Sequence, residues 1–213
     1  MNYNKSYRII ALAALVLGVL GVSLGYAAFS NTLTISSSSN VNPDESSFNV
    51  DFSSSAASVD TTAIVPTLNK SVEGFTATNG QIDNTSDPTI TNLKATFTEP
   101  GQSATYTFYA YNAGKYIAYL NSIVFSGAKT CTAKPGTTQN LVDTACNGIK
   151  LSAKVGSESE TETSVASLTG HSLAMDASEK VIVTISYENG SGRADGDFDV
   201  TLPNIVLTYD SVD

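Results

Sequence analysis

The chain has 213 residues, with 20 Asp and Glu against 11 Lys and Arg and a formal net charge of −9. A surface of that sign repels nucleic acid and anionic headgroups, and no Lys/Arg cluster stands out along the chain to offset it, which argues against a nucleic-acid partner. One histidine, two cysteines and no tryptophan leave little material for metal, redox or triad chemistry.

Lys5 and Arg8 precede an uncharged apolar run from Ile9 to Leu24, which leads into Gly25-Tyr26-Ala27-Ala28-Phe29 before the sequence turns polar. A basic start, an apolar stretch and a small-residue exit are the three parts of an export signal. As a helix the run covers roughly 24 Å, a little short of a membrane span. Cleavage after Ala27 puts Gly25 and Ala27 at −3 and −1, and a signal peptidase is then the first partner. The alternative is an uncleaved anchor. Residues 1–27 are therefore read as a signal peptide or N-terminal membrane anchor, and the protein as secreted or held at the cell surface. The exported part loses Lys5 and Arg8 but keeps all 20 acidic residues, which moves its formal charge to −11.

Residues 28–42 form an N-terminal strand and a polar spacer. Phe29-Ser30-Asn31-Thr32-Leu33-Thr34-Ile35 alternates apolar and polar side chains, broken at Asn31. It either folds back as the first strand of its own sheet or is donated into a groove of a neighbouring subunit. In the second case backbone hydrogen bonds supply affinity and Phe29, Leu33 and Ile35 fill pockets. A head-to-tail contact of that kind does not close on itself and yields a filament.

Residues 43–213 read as one domain of strands separated by turns. Ala104–Asn112 places Tyr106 and Phe108 on one face, and Val181–Tyr187 aligns Val181, Val183, Ile185 and Tyr187. Further strands are expected at Phe48–Phe52, Leu93–Phe97, Tyr119–Phe125, Ile149–Val155 and Phe198–Tyr209, with an edge strand at Ala63–Leu68 because of Pro66. Asn79–Pro88 reads as an exposed loop. Glu99-Pro100-Gly101-Gln102 predicts a hairpin, with further turns at 112–115 and 189–192. The only hint of helix is a single turn near Leu173–Ala177. The pattern predicts an all-β fold, an antiparallel two-sheet sandwich behind an N-terminal hydrophobic signal or anchor helix.

Cys131 and Cys146 are an even pair in an exported chain and predict one disulfide across a polar Pro135-Gly136 loop. Asp195, Asp197 and Asp199 alternate around a glycine and form a candidate Ca²⁺ site, although they match only a fragment of an EF-hand loop. A solvated acidic tip is the competing reading, and no other cofactor is called for. Tyr109 and Tyr111 sit opposite Tyr106 and Phe108, either as a glycan platform or as cross-strand packing. His171 is the lone histidine and no His-Glu-x-x-His occurs, so neither a zinc hydrolase site nor a triad can be assembled in the usual way.

The apolar signal ending Gly-Tyr-Ala-Ala-Phe29, the Ser/Thr strand after it, and Ala95-Thr-Phe-Thr-Glu-Pro-Gly-Gln-Ser-Ala-Thr-Tyr-Thr-Phe108 followed by Asn112-Ala-Gly114 resemble the TasA/camelysin group of Gram-positive biofilm-matrix and cell-surface proteins. The resemblance covers residues 1–35 and 91–125. It implies a jelly-roll sandwich, cleavage at Ala27 or Ala28 by a dedicated signal peptidase, and a donor strand at Phe29–Ile35. The cysteine-bounded loop and the lack of a Gly-Gly run before the cleavage site depart from the group. Some relatives are described as metalloproteases, which the single histidine does not suit. The sequence is thus read as a non-enzymatic structural subunit of matrix or surface fibres, self-associating by strand donation and meeting a matrix polysaccharide. A monomeric adhesion or glycan-binding module is the alternative, and a surface hydrolase the third.

Overall fold

A computed structural model describes residues 30–35, 48–85, 88–156, 158–161, 166–167, 172–190 and 192–211. The fold belongs to the unit Asn31–Asp213. In chain order its strands begin with β1 (Ser30–Ile35), β2 (Val50–Ser53), β3 (Thr67–Leu68), β4 (Thr76–Ala77), β5 (Gln81–Asp83) and β6 (Thr89–Thr91). There follow β7 (Lys94–Phe97), β8 (Ser103–Asn112), β9 (Ala118–Ser126), β10 (Thr130–Ala133), helix α1 (Gln139–Cys146) and β11 (Ile149–Val155). The chain continues through β12 (Glu158–Thr161), β13 (Ala166–Ser167), β14 (Ser172–Leu173), β15 (Ser178–Tyr187), β16 (Phe198–Thr201) and β17 (Asn204–Ser211).

The strands form three sheets. One runs β12-β11-β15-β8-β2, with β3 sharing the edge of β8 that β2 occupies. The second runs β13-β9-β17-β1-β6-β5, with β14 also on β9, and the third runs β10-β16-β7-β4. Alternation explains the long central strands. In β8 the even-numbered residues Ala104, Tyr106, Phe108 and Ala110 are buried, and in β15 Val181, Val183, Ile185 and Tyr187 are buried. Tyr187 packs edge-on against Phe97 and Phe198 of the four-stranded sheet, with ring centroids 6.0 and 5.5 Å apart. Buried side chains from all three sheets form one continuous core. The all-β, sandwich-like reading therefore holds, with three sheets in place of the expected two, and no helix among the described residues is long and apolar enough to cross a membrane. The expected signal or anchor helix lies outside the described residues.

Several local expectations are corrected. Residues 99–102 do not close a hairpin, because β7 and β8 belong to different sheets. Gly101 does take the expected left-handed conformation, with φ 84°. Buried Gln102 then holds the corner: its Oε1 accepts from the Thr98 and Glu99 amides and its Nε2 donates to Thr98 Oγ1. At the other end of β8, buried Asn112 donates to the carbonyls of Tyr116 and Leu173 as the chain leaves for β9. Both corners satisfy their polar groups from within, so the chain can change sheets without leaving orphaned amides.

Phe198–Tyr209 is two strands in two sheets, split at Leu202-Pro203, where proline has no N–H to continue a ladder. Part of the expected 79–88 loop is β5, whose Ile82 is buried against the core. Only Thr67–Leu68 of the expected edge strand pairs with β8, although Ile64 bridges Gly80. Leu173–Ala177 is not a helical turn, since Leu173 ends β14 and Asp176 adopts φ 57°. The helix lies instead at Gln139–Cys146, where Val142 and Ala145 share a buried face that the polar composition of the segment disguises.

Two buried tyrosines make opposite predictions. Tyr106 Oη donates to the Lys94 carbonyl at 2.8 Å and accepts from the Lys94 amide at 3.2 Å, whereas the Tyr209 hydroxyl has no partner among the described residues. Tyr106→Phe should cost about 1 kcal/mol and Tyr209→Phe should gain about as much, read from urea midpoints at constant m-value. Burial pushes the Tyr106 phenol up to about 12 and raises those of Tyr187 and Tyr209 as well. A raised folded value favours the protonated form in the native state. Stability should hold below pH about 10 and fall as pH climbs toward about 12, and Tyr106→Phe should reduce that slope.

Candidate functional site

Beta strands need both edges covered, and the seven-stranded sheet meets that need with β1. Between β17 and β6, β1 places Thr34 opposite Thr89 in a parallel pair, whereas every other registered pair among the described residues is antiparallel. The strands beside the slot carry buried Ile205, Leu207 and Tyr209 on β17 and Ile90 on β6, and β5 on the far side of β6 carries Ile82. Without β1 the sheet divides into a β9-β17 group and a β6-β5 hairpin. Of the two readings of this segment, the one in which it folds back into its own sheet is the arrangement seen. Leu33 and Ile35 lie on β1 as expected, while Phe29 and the expected cleavage positions Ala27 and Ala28 fall outside the described residues.

A cavity of about 190 Å³ opens at the end of β6, lined among others by Ile90, Leu93, Lys94, Leu202 and Pro203. That volume is below the usual range for small-molecule sites. A larger, open concavity of about 510 Å³ lies beside the cysteines, with Gly127, Lys129, Asp143 and Asn147 around it.

Cys131 and Cys146 are bonded, with Cα atoms 6.0 Å apart, and neither is free. The bond ties β10 to the last residue of α1, so the polar Pro135-Gly136 loop makes up only part of the enclosed segment and the helix most of the rest. Asp195 reinforces the helix start, accepting from the Thr138 amide at 2.9 Å and from Thr138 Oγ1 at 2.6 Å. Those bonds hold its carboxyl below the usual range.

The other candidate Ca²⁺ ligands go elsewhere. Asp199 meets Lys94 Nζ at 2.6 Å, Lys134 Nζ at 3.7 Å and Thr96 Oγ1 at 2.7 Å. Burial raises its pKa, but the Lys94 and Thr96 hydrogen bonds and the two lysine charges outweigh burial and leave it lowered. The Asp197 carbonyl accepts from Thr137 Oγ1 and the Lys134 amide. No group of three potential metal ligands occurs among the described residues. His171 lies outside them.

Tyr109 and Tyr111 are half-buried on the outer face of the six-stranded sheet, as the alternation predicts. The same face carries three cations that the sequence pattern alone does not group. Lys150 and Lys154 occupy the outward positions of Ile-Lys-Leu-Ser-Ala-Lys-Val in β11, and Lys180 lies on β15 opposite Tyr109. All three are exposed, so the expectation that no lysine cluster exists is corrected. The signal was present in the period-two pattern of β11, but Lys180 joins the set only through strand pairing.

No protein-family model, curated protein or solved structure matches this chain. Replacing Cys131 and Cys146 with Ser should lower stability by about 3 kcal/mol, on the loop-entropy scale for a 15-residue separation. Amide exchange should locate the loss of protection in α1 and β10.

Proposed function

We propose that this chain is an exported, non-enzymatic structural subunit of extracellular matrix or cell-surface fibres, a jelly-roll sandwich related to the TasA/camelysin group, assembling by N-terminal strand donation. Export rests on the basic start and apolar run of residues 1–24 and the small-residue exit at Ala27 and Ala28. The observation that carries the assembly reading is the slot between β17 and β6. A short strand at residues 30–35, parallel to β6, completes a sheet whose other registered pairs are antiparallel.

The strand is joined to Phe48 by residues 36–47, a polar stretch that spans at most about 40 Å when extended. A tether of that length allows β1 of one copy to enter the slot of the next. The strand meets the same two edges in either arrangement, so exchange turns on tether entropy and protein concentration. A chain of such donations has one open slot and one free strand at its ends and grows as a filament.

Protein beginning at Ala28 is expected to form filaments above a threshold concentration in negative-stain microscopy. Deleting residues 29–35 should abolish them while the sheet built around β8 and β15 stays folded. Monodisperse particles across concentration and mildly acidic pH would contradict the proposal. Intact mass of protein secreted by a Gram-positive host should place the mature terminus at Ala28 or Phe29.

A further inference from the structure

The outer face of the six-stranded sheet has a charge opposite to that of the molecule. Register places Lys150, Ser152 and Lys154 of β11 beside Ser186, Thr184 and Ile182 of β15. Lys180 then stands opposite Tyr109 of β8, and Asp51 of β2 opposite Tyr111. Three of the nine cations of the exported part thus share one face with Asp51 as the one carboxylate among the described side chains of that face, in a chain segment carrying 20 acidic residues. Asp51 already accepts from Asn49 Nδ2 at 3.0 Å. No ion pair to Lys150, Lys154 or Lys180 occurs among the described residues, whereas Lys70, Lys94 and Lys134 are each paired.

The spacing suits an extended ligand. Four residues along a strand separate Lys150 from Lys154 by about 13 Å, and Lys180 continues the line on the neighbouring strand. Hydroxyls fill the interval, with Thr105 and Thr184 linked across strands at 3.3 Å. Tyr109 supplies an aromatic surface at the Lys180 end. We propose that this face binds an acidic polysaccharide strand, its carboxylates meeting the three lysines, its hydroxyls the Ser/Thr rows and a sugar ring resting against Tyr109.

Charge separation favours a thin polymer over a second copy of the chain. At physiological ionic strength fields decay over about 8 Å. A single polysaccharide strand on this face therefore feels the lysines strongly and the acidic loops weakly. A second globular copy brings its whole acidic surface close and is repelled. The inference goes beyond fibre formation and holds for the monomer.

The test uses protein from Phe48 to Asp213 only if its circular dichroism matches that of the protein from Ala28; otherwise the longer protein is used below its assembly threshold. Affinity electrophoresis through gels containing polygalacturonate should retard it, and gels containing neutral dextran should not. The Lys150→Ser/Lys154→Ser/Lys180→Ser variant should bind polygalacturonate about tenfold more weakly, the sum of three exposed charge contacts. Binding should also fall between 50 and 200 mM salt, as for any charge-driven contact (concentrations of about this order). Tyr109→Ala should weaken binding with the charge unchanged. A triple variant at Lys70, Lys115 and Lys134 lowers net charge equally and should bind like wild type. Equal losses in both triple variants, binding to dextran as tight as to polygalacturonate, or salt-sensitive self-association through the lysine face in place of polymer binding would overturn the proposal.

Discussion

A strand's unpaired amides and carbonyls must be met, and in this molecule that requirement converges on the gap between β17 and β6. Each flanking strand already pairs on its far side, β17 with β9 and β6 with β5, so the two facing edges can be satisfied together only by a strand lying between them. The segment that fills the gap is β1, Ser30–Ile35. The seven-stranded sheet is therefore continuous only when an N-terminal strand is present, whichever copy supplies it. Under the proposed donation a neighbour supplies that strand, and the exchange needs no new surface.

The remainder of the unit gives the slot a fixed frame. β8 pairs along its length with β15 and shares its other edge between β2 and β3, while the buried amides of Gln102 and Asn112 hold the corners at its two ends. Tyr106 reaches from β8 to both main-chain polar groups of Lys94 on the four-stranded sheet, and Lys94 in turn pairs with Asp199. These links join polar groups across the core in directions that apolar packing alone does not specify. The disulfide adds a local constraint on α1 and leaves the slot untouched in sequence.

Much of this architecture was legible from alternation. The extents of β8 and β11 and the faces buried by β8, β11 and β15 follow from period-two patterning, although β15 begins at Ser178, three residues before the expected start, and the cysteine pairing follows from an even count. What the sequence hid was pairing partner and layer. Pro100-Gly101 has the chemistry of a hairpin turn, yet Gln102 turns the same residues into a corner between sheets. Leu202-Pro203 separates two strands that composition runs together. Gln139–Cys146 buries only Val142 and Ala145 and leaves Leu141 exposed, and it is too short for helical periodicity to stand out. Lys150 and Lys154 were visible on one strand, but Lys180 is thirty residues from Lys150 and reaches the same face only through β11–β15 register. The acidic alternation at Asp195, Asp197 and Asp199 pointed to a shared cation, whereas the strand and helix start around it draw two of those carboxylates to Thr138 and to the lysines.

The most direct test of strand exchange uses the register itself. Thr34 and Thr89 are opposed across β1 and β6. Filaments would be grown from an equal mixture of copies carrying only Thr34→Cys and copies carrying only Thr89→Cys, then oxidised and resolved without reductant. Donation between copies predicts a covalent dimer joining one variant to the other, identified by labelling one with a heavy isotope. Filaments that give no such dimer, while a single chain carrying both substitutions closes internally within them, would show that β1 stays in its own sheet and contradict the account.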